Sequence, residues 1–155
     1  MRRNLSVAAA TAALIVMVAG GIAGARASSS GAAEGRTMTV VQRAPDQAFQ
    51  DFGAPGPTPG DILVFRSALF DETNTTPLGD LHIQCVVSFG NKAVCVGIFS
   101  FTGRGQLSVD ALPEFPLPAT GIVTGGSGEF QRTRGQADIE PQPDGTTVIT
   151  FHLFG

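Results

Sequence analysis

The sequence predicts an all-β domain built as an antiparallel barrel or sandwich. Short apolar runs of about five to nine residues recur from residue 37 onward, separated by segments that contain Gly, Pro, Asn or Asp. Beyond residue 36, no segment shows the 3.6-residue apolar repeat of an amphipathic helix. Many short strands without helices are typical of barrels and sandwiches.

The N-terminus predicts export. Arg2 and Arg3 precede an uncharged, mostly apolar stretch over residues 5–24, and Ala25-Arg26-Ala27 then provides a small-x-small cleavage site. We therefore expect a signal peptide over residues 1–27, cleaved after Ala27, and a secreted, extracellular protein. The alternative is a retained membrane anchor, since the stretch is long enough to span a bilayer, although its Gly and Ala content makes it weakly hydrophobic.

Cleavage would leave 128 of the 155 residues, which is enough for one domain. Three of the ten basic residues leave with the signal and all thirteen acidic ones stay, so the remaining net charge is −6. This acidic balance argues against nucleic acid as a partner, and against anionic membrane lipid once the signal is removed.

The elements follow in order. Residues 28–36 are small and polar and predict a flexible tail before the domain over residues 37–155. The first strand is expected at 37–41, and the proline-rich stretch 44–60 is expected to be a loop. The other strands are predicted at residues 62–70, 81–89, 93–101, 106–110, 121–124, 135–140 and 146–153, with an irregular segment at 112–118.

A tight turn centred on Gly90 fixes the register of one hairpin. In that register Cys85 lies directly opposite Cys95, close enough for a disulfide at a non-hydrogen-bonded pair. Export and the even cysteine count favour the disulfide over two buried free thiols.

The same register sorts this hairpin into two faces. The face that carries the cysteines is almost wholly apolar, and the other face is too apolar to be freely solvated. We interpret the first as a barrel interior and the second as a contact between subunits.

Two motifs carry a family resemblance. Residues 60–71, GDILVFRSALFD, and residues 124–135, TGGSGEFQRTRG, resemble the allene oxide cyclases, and the second motif also resembles the dirigent proteins. The similarity covers about residues 60–153, with a weaker extension back to Thr37. It implies an eight-stranded antiparallel barrel of allene oxide cyclase/dirigent type, with an apolar cavity and assembly into a homotrimer or other homo-oligomer.

The cyclase's polar residues are not matched. Its Glu and Asn of the first strand align with Thr39 and Val41, an Asn of the second strand aligns with Ser67, and its cavity cysteine aligns with Cys85. This argues against allene oxide cyclase activity and leaves any catalytic residue unassigned. If the chain is an enzyme, the resemblance implies an isomerase- or cyclase-like reaction.

Strand positions nominate residues that line a cavity. These candidates are Thr39, Phe65, Ser67, Ile83, Phe99 and Phe101. Each also has a structural alternative, because large side chains fill small barrels and hydroxyls bond locally.

The sequence thus favours a secreted barrel that binds a hydrophobic small molecule and steers its cyclisation or coupling. The alternative is a non-catalytic extracellular structural or interaction protein with a filled barrel. No motif supports a hydrolase, and we expect neither a cofactor nor a metal, since His82 and His152 are the only histidines and neither has an assignable catalytic partner.

Overall fold

The computed structural model describes residues 35–43 and 45–155, and this part of the chain is almost entirely β-strand. Its elements are β1 (Arg36–Gln42), β2 (Asp46–Gln50), β3 (Ile62–Asp71), β4 (Pro77–Val87), β5 (Ala93–Phe101), β6 (Gly105–Ala111), β7 (Ala119–Gly126), a 3-10 turn (Gly128–Phe130), β8 (Arg134–Pro141) and β9 (Thr147–Phe154). The predicted signal peptide and residues 28–34 of the predicted tail lie outside the described residues. Arg36 is the first residue of β1 and so does not belong to a tail.

The strands form the predicted eight-stranded antiparallel barrel. Neighbours follow the order β1-β9-β8-β7-β6-β5-β4-β3, and β1 pairs with β3 to close the ring. Closure uses only the ends of these two strands, where Val40, Val41 and Gln42 face Asp71, Phe70 and Leu69. The remaining part of β3 pairs with β2.

The stretch 44–60, predicted to be a loop, contains a strand, because Asp46–Gln50 forms β2. This strand lies antiparallel to residues 62–66 of β3 and continues the sheet where β1 leaves it. The prolines of this stretch, Pro45, Pro55, Pro57 and Pro59, all lie outside the five paired residues. Proline therefore bounds β2 rather than preventing it.

The predicted register of the β4–β5 hairpin is confirmed. Cys85 pairs with Cys95 and Leu81 with Phe99, and the two cysteines form a disulfide. One detail differs: β4 ends at Val87, and Phe89 lies in the turn with 81% of its surface exposed. The Ser88 N–H donates to the carbonyl of Lys92 and closes the turn before Phe89 can join the strand.

One end of the barrel is filled by aromatic side chains. The Phe99 ring packs edge-on against Phe151 with their centroids 5.0 Å apart, and the Phe101 ring lies 5.0 Å from that of Phe130. All four side chains are buried. We refer to these four residues as the aromatic plug.

The glycine-rich motif of residues 124–135 forms the corner that brings Phe130 into the plug. Gly128 has a φ of +61°, as expected for glycine in a tight corner. A Cβ at Gly126 would collide with the backbone carbonyl of Gln106. The motif is therefore a structural device for the closed end of the barrel.

Candidate functional site

A cavity of about 220 Å³ occupies the end of the barrel opposite the aromatic plug. Its wall consists of inward-facing residues at strand ends, among them Gln42 of β1, Ala111 of β6, Ile139 of β8 and Thr147 of β9. The inward positions of each strand alternate with outward ones. The cavity is therefore the part of the barrel interior that side chains leave unfilled.

The irregular segment 112–118 covers this end of the barrel. Pro113, Phe115 and Leu117 alternate along it and line the cavity. The segment is tied to the β4–β5 hairpin, since the Phe115 N–H donates to the Asn91 carbonyl at 3.1 Å and the Ala93 N–H donates to the Pro113 carbonyl at 3.2 Å. Backbone bonds thus hold an apolar cover over the cavity.

The disulfide forms part of the cavity wall. Cys85 and Cys95 both line the space and pack with Leu63, Phe65 and Phe115. The aligned family cysteine is therefore bonded to Cys95 here and is not a free thiol facing the interior.

Polar groups are few in this cavity. The carboxamide nitrogen of Gln42 donates to the Ser67 hydroxyl at 2.9 Å, and both residues are buried. Thr147 adds a hydroxyl to the lining. The lining residues include no ionisable side chain, so proton transfer by a carboxyl, imidazole or amine has no donor or acceptor at this wall.

Within residues 35–43 and 45–155, no group of three or more His, Cys, Asp or Glu side chains is placed to hold a metal ion. No helix in the same part of the chain has the length and hydropathy that a membrane crossing requires.

What the cavity offers is shape, apolar surface and a single hydrogen-bonded amide–hydroxyl pair.

The structure brings together only some of the predicted cavity residues. Phe65 and Ile83 line the cavity. Ser67 does not line it directly but is hydrogen-bonded to Gln42, which does. Phe99 and Phe101 face inward as predicted, but they belong to the aromatic plug at the other end.

Thr39 is not a cavity residue. It pairs with Thr150 of β9, and the two hydroxyls lie 3.4 Å apart. Its neighbour Val40 belongs to the core, and successive side chains of a strand point to opposite faces. The prediction from strand position placed Thr39 on the inner face. The alternation in β1 instead places it on the outer face.

Sequence reasoning missed Gln42 and the covering segment. Gln42 follows Met38 and Val40 at two-residue spacing, which is the signal that would have indicated its inward direction. Phe115 lies outside any strand, so no alternation pattern points to it.

The acidic residues of the first motif hold turns rather than the site. The Asp61 carboxylate accepts hydrogen bonds from the Phe52 N–H at 2.8 Å and from the N–H and hydroxyl of Thr58 at 2.6 and 3.0 Å. These bonds, that of Phe52 foremost, lower the pKa of Asp61. The backbone N–H groups of Thr75 and Thr76 similarly lower the pKa of Asp71 to about 2.

Glu129 of the second motif is paired at the plug end. The Arg104 guanidinium donates to its two carboxylate oxygens at 2.7 and 2.8 Å, and Arg36 donates at 3.1 Å. The hydrogen bonds from Arg104 are the main cause that lowers the pKa of Glu129 to about 2. Both arginines also lie over the Phe130 ring, so this cluster seals the filled end.

Three solved protein structures share this architecture. A pyocyanin demethylase is 26% identical over 76% of this chain and 99% of that chain, with a TM-score of 0.67. A pterocarpan synthase dirigent protein is 16% identical over 79% and 88%, with a TM-score of 0.58. The Diels-Alderase from Streptomyces koyangensis is 13% identical over 79% and 70%, with a TM-score of 0.57.

The chain has the allene oxide cyclase/dirigent-like β-barrel. No protein-family model matches the sequence, and neither does any curated protein. In this dirigent-like barrel the first motif spans β3 and contributes Phe65 to the cavity wall, while its two Asp residues hold the β2–β3 connection and the β3–β4 turn. The second motif forms the corner beside the plug. Their match therefore identifies the architecture, and of the polar groups at the cavity it includes Ser67 but not Gln42 or Thr147.

Proposed function

We propose that the protein binds an apolar small molecule, which carries one polar group, in the cavity opposite the aromatic plug. The protein steers the cyclisation or coupling of this molecule. The observation that carries this proposal is a largely apolar cavity of about 220 Å³ with one buried amide–hydroxyl pair in its wall. Ligand sites typically combine apolar lining with a few fixed polar groups. About 150 Å³ of apolar cavity suffices for benzene, so the space accommodates one substituted ring.

Gln42 is the group that would fix the orientation of the ligand. Its amide nitrogen is committed to Ser67. Among the described residues, Ser67 is the one hydrogen-bond partner of this side chain, so the carboxamide oxygen can accept a hydrogen bond from a ligand hydroxyl or N–H. Apart from the Thr147 hydroxyl, the remaining wall contacts the ligand through dispersion and exclusion of water.

The effect on a reaction would be positional. Since the wall has no acid, base or nucleophile, the ligand brings its own reactivity and the barrel restricts its conformations. The names of two similar proteins, a pterocarpan synthase dirigent protein and a Diels-Alderase, support this class of activity.

Export and self-association complete the proposal. The disulfide is compatible with the oxidising compartment that the N-terminal sequence predicts. The outer face of the β3–β5 sheet exposes Val64, Val86, Val94 and Val96, and this surface supports a homo-oligomer, such as a trimer, that covers these side chains.

A filled structural barrel is the second candidate, because the aromatic plug already fills one end of the interior. Calorimetric titration with 4-methylphenol and with 4-ethylphenol separates the two candidates. We expect binding of at least one probe, and loss of that binding in Ala111→Leu, which fills the cavity. The matched control, Ala48→Leu, enlarges an exposed alanine on β2 and should bind as the wild type does. Equal behaviour of the two variants, or no binding of either probe, would favour the structural candidate.

A further inference from the structure

A second apolar depression lies outside the cavity, at the same end of the barrel. It has a volume of about 700 Å³ and is lined by Phe49, Pro57, Pro59, Leu63, Phe89 and Phe115, among others. We refer to it as the outer groove. Phe49 is 44% exposed and Phe89 is 81% exposed, so their apolar surface is available to a binding partner.

The inner face of the sheet continues from the barrel interior into the outer groove. Phe49 of β2 pairs with Leu63 of β3, Leu63 pairs with Cys85, and Cys85 pairs with Cys95. Directly paired residues point to the same face of a sheet. The row that lines the cavity at Cys95 and Cys85 therefore extends without interruption across Leu63 to Phe49 in the groove.

Phe115 lies at the boundary between the two spaces. Its side chain lines both the cavity and the outer groove, and it packs on the disulfide cluster. Phe115 belongs to no strand, and its backbone is hydrogen-bonded to Asn91 of the β4–β5 turn. A ligand that occupies both spaces would have to displace this ring, which lines each of them.

We propose that the outer groove is a second subsite, which takes the apolar tail of the ligand whose ring occupies the inner cavity. The ligand is therefore an elongated amphiphile, with a hydroxyl or N–H end at Gln42 and a hydrocarbon end at Phe49 and Phe89. This inference rests on the proposed function, because the ring end uses the same inner cavity.

The charges of the groove agree with a hydrocarbon occupant. Lys92 is the one ionisable residue among those that line it in the described part of the chain, and its ammonium lies 3.9 Å from the Glu114 carboxylate. The groove thus offers no unpaired charge for an ionic group. An inner space of about 220 Å³ is also smaller than most ligand sites, which begin at about 300 Å³.

A series of 4-alkylphenols, from 4-ethylphenol to 4-octylphenol, tests the groove by calorimetry on the purified full chain. We expect affinity to rise about four-fold for each added methylene that is buried, and to continue rising through the octyl member. Phe49→Ser and Phe89→Ser should lower the affinity for 4-octylphenol at least ten-fold and leave that for 4-ethylphenol unchanged. Ile122→Ser, at an exposed position on β7, is the control and should change neither.

The outcomes separate this inference from the proposed function. A plateau in affinity after the shortest members, or an unchanged 4-octylphenol affinity in both Phe variants, would overturn the second subsite while the inner cavity stands. Absence of binding by every member, 4-ethylphenol included, would overturn both. If Phe89→Ser instead lowers the native mass of an oligomer without affecting 4-octylphenol, the groove is covered by a second copy and the inference is wrong.

Discussion

Cys85 and Cys95 are directly opposed residues of β4 and β5, and their disulfide is both a link across the hairpin and a part of the cavity wall. The bond closes a short loop, and this loop contains the turn with Phe89. Because Phe115 packs on the same disulfide, the bond also supports the segment that covers the cavity.

Removal of the disulfide should destabilise the fold by an amount set by this loop. For a sequence separation of 10 residues, the chain-entropy estimate is about 3 kcal/mol. We expect Cys85→Ala/Cys95→Ala to lower the free energy of unfolding by about that amount, measured by urea titration. A reducing agent should shift the wild-type midpoint toward that of the double variant and leave the double variant unchanged; an unshifted wild type would contradict the prediction.

Asp61 should control the order of the connection between β2 and β3. Its carboxylate binds the N–H groups of Phe52 and Thr58, which lie on either side of residues 53–57. We expect Asp61→Ala to accelerate amide hydrogen exchange at Phe52 and Thr58 and protease cleavage between them, while the exchange of β5 stays slow. Asp51→Ala is the comparison, because Asp51 binds only the N–H groups of Gly53 and Gly56 and is exposed. Equal effects of both variants would show that Asp61 has no special role.

The acid dependence of stability should include a contribution from Glu129. Its pKa falls from 4.5 to about 2 in the folded protein, chiefly through the hydrogen bonds from Arg104. A lowered folded pKa contributes stability above the unfolded value and loses it as the pH falls through the folded value. The contribution should therefore be complete above about pH 5 and disappear toward about pH 2.

Urea titrations of the wild type and Glu129→Gln between pH 7 and pH 2 measure this contribution. The variant should be less stable at neutral pH, and the difference should shrink as the pH falls through the window. Glu72→Gln, on the exposed β3–β4 turn, serves as the control for the loss of one surface carboxylate. A constant difference across the whole range would mean that the ion pair does not act through the ionisation of Glu129.

The sequence allowed the architecture to be predicted better than the site. A tight turn at Gly90 and strict alternation fix which residues oppose and face each other, so the Cys85–Cys95 pair followed from the residues alone. Alternation gives the direction of a side chain but not its height along the barrel axis. Ile83 and Phe99 share one face for this reason, yet the first lines the cavity and the second packs in the plug.

Two further parts of the site had no periodic signal. Phe115 lies in a proline-rich segment whose path depends on backbone bonds to a distant turn, and such pairing is a tertiary property. The strand at Asp46–Gln50 was hidden by the prolines around it, because composition over a window does not show which residues pair.

The aromatic plug should carry stability without affecting ligand binding. Phe130 is fully buried at the end of the barrel opposite the cavity. Phe130→Ala should cost about 3–5 kcal/mol in the free energy of unfolding, and the folded variant should bind 4-ethylphenol with unchanged affinity. Phe65→Ala, in the cavity wall, should change that affinity. A weakened ligand affinity in Phe130→Ala would indicate that the plug and the cavity are coupled.

Gln42 should decide which ligands the cavity selects. Gln42→Leu keeps the size of the side chain and removes the acceptor oxygen proposed for the ligand. One net hydrogen bond is worth about 0.5–1.5 kcal/mol, so the affinity for 4-ethylphenol should fall about two- to twelve-fold while that for ethylbenzene stays equal or rises. The variant leaves the Ser67 hydroxyl without its partner. The double variant Gln42→Leu/Ser67→Ala removes both groups, and we expect it to recover stability and keep the changed selectivity.

Since no lining residue is ionisable, wild-type affinity for 4-ethylphenol should stay constant from pH 5 to pH 8. A parallel loss of both ligands, or a titration within that range, would mean that a group outside this pair governs binding.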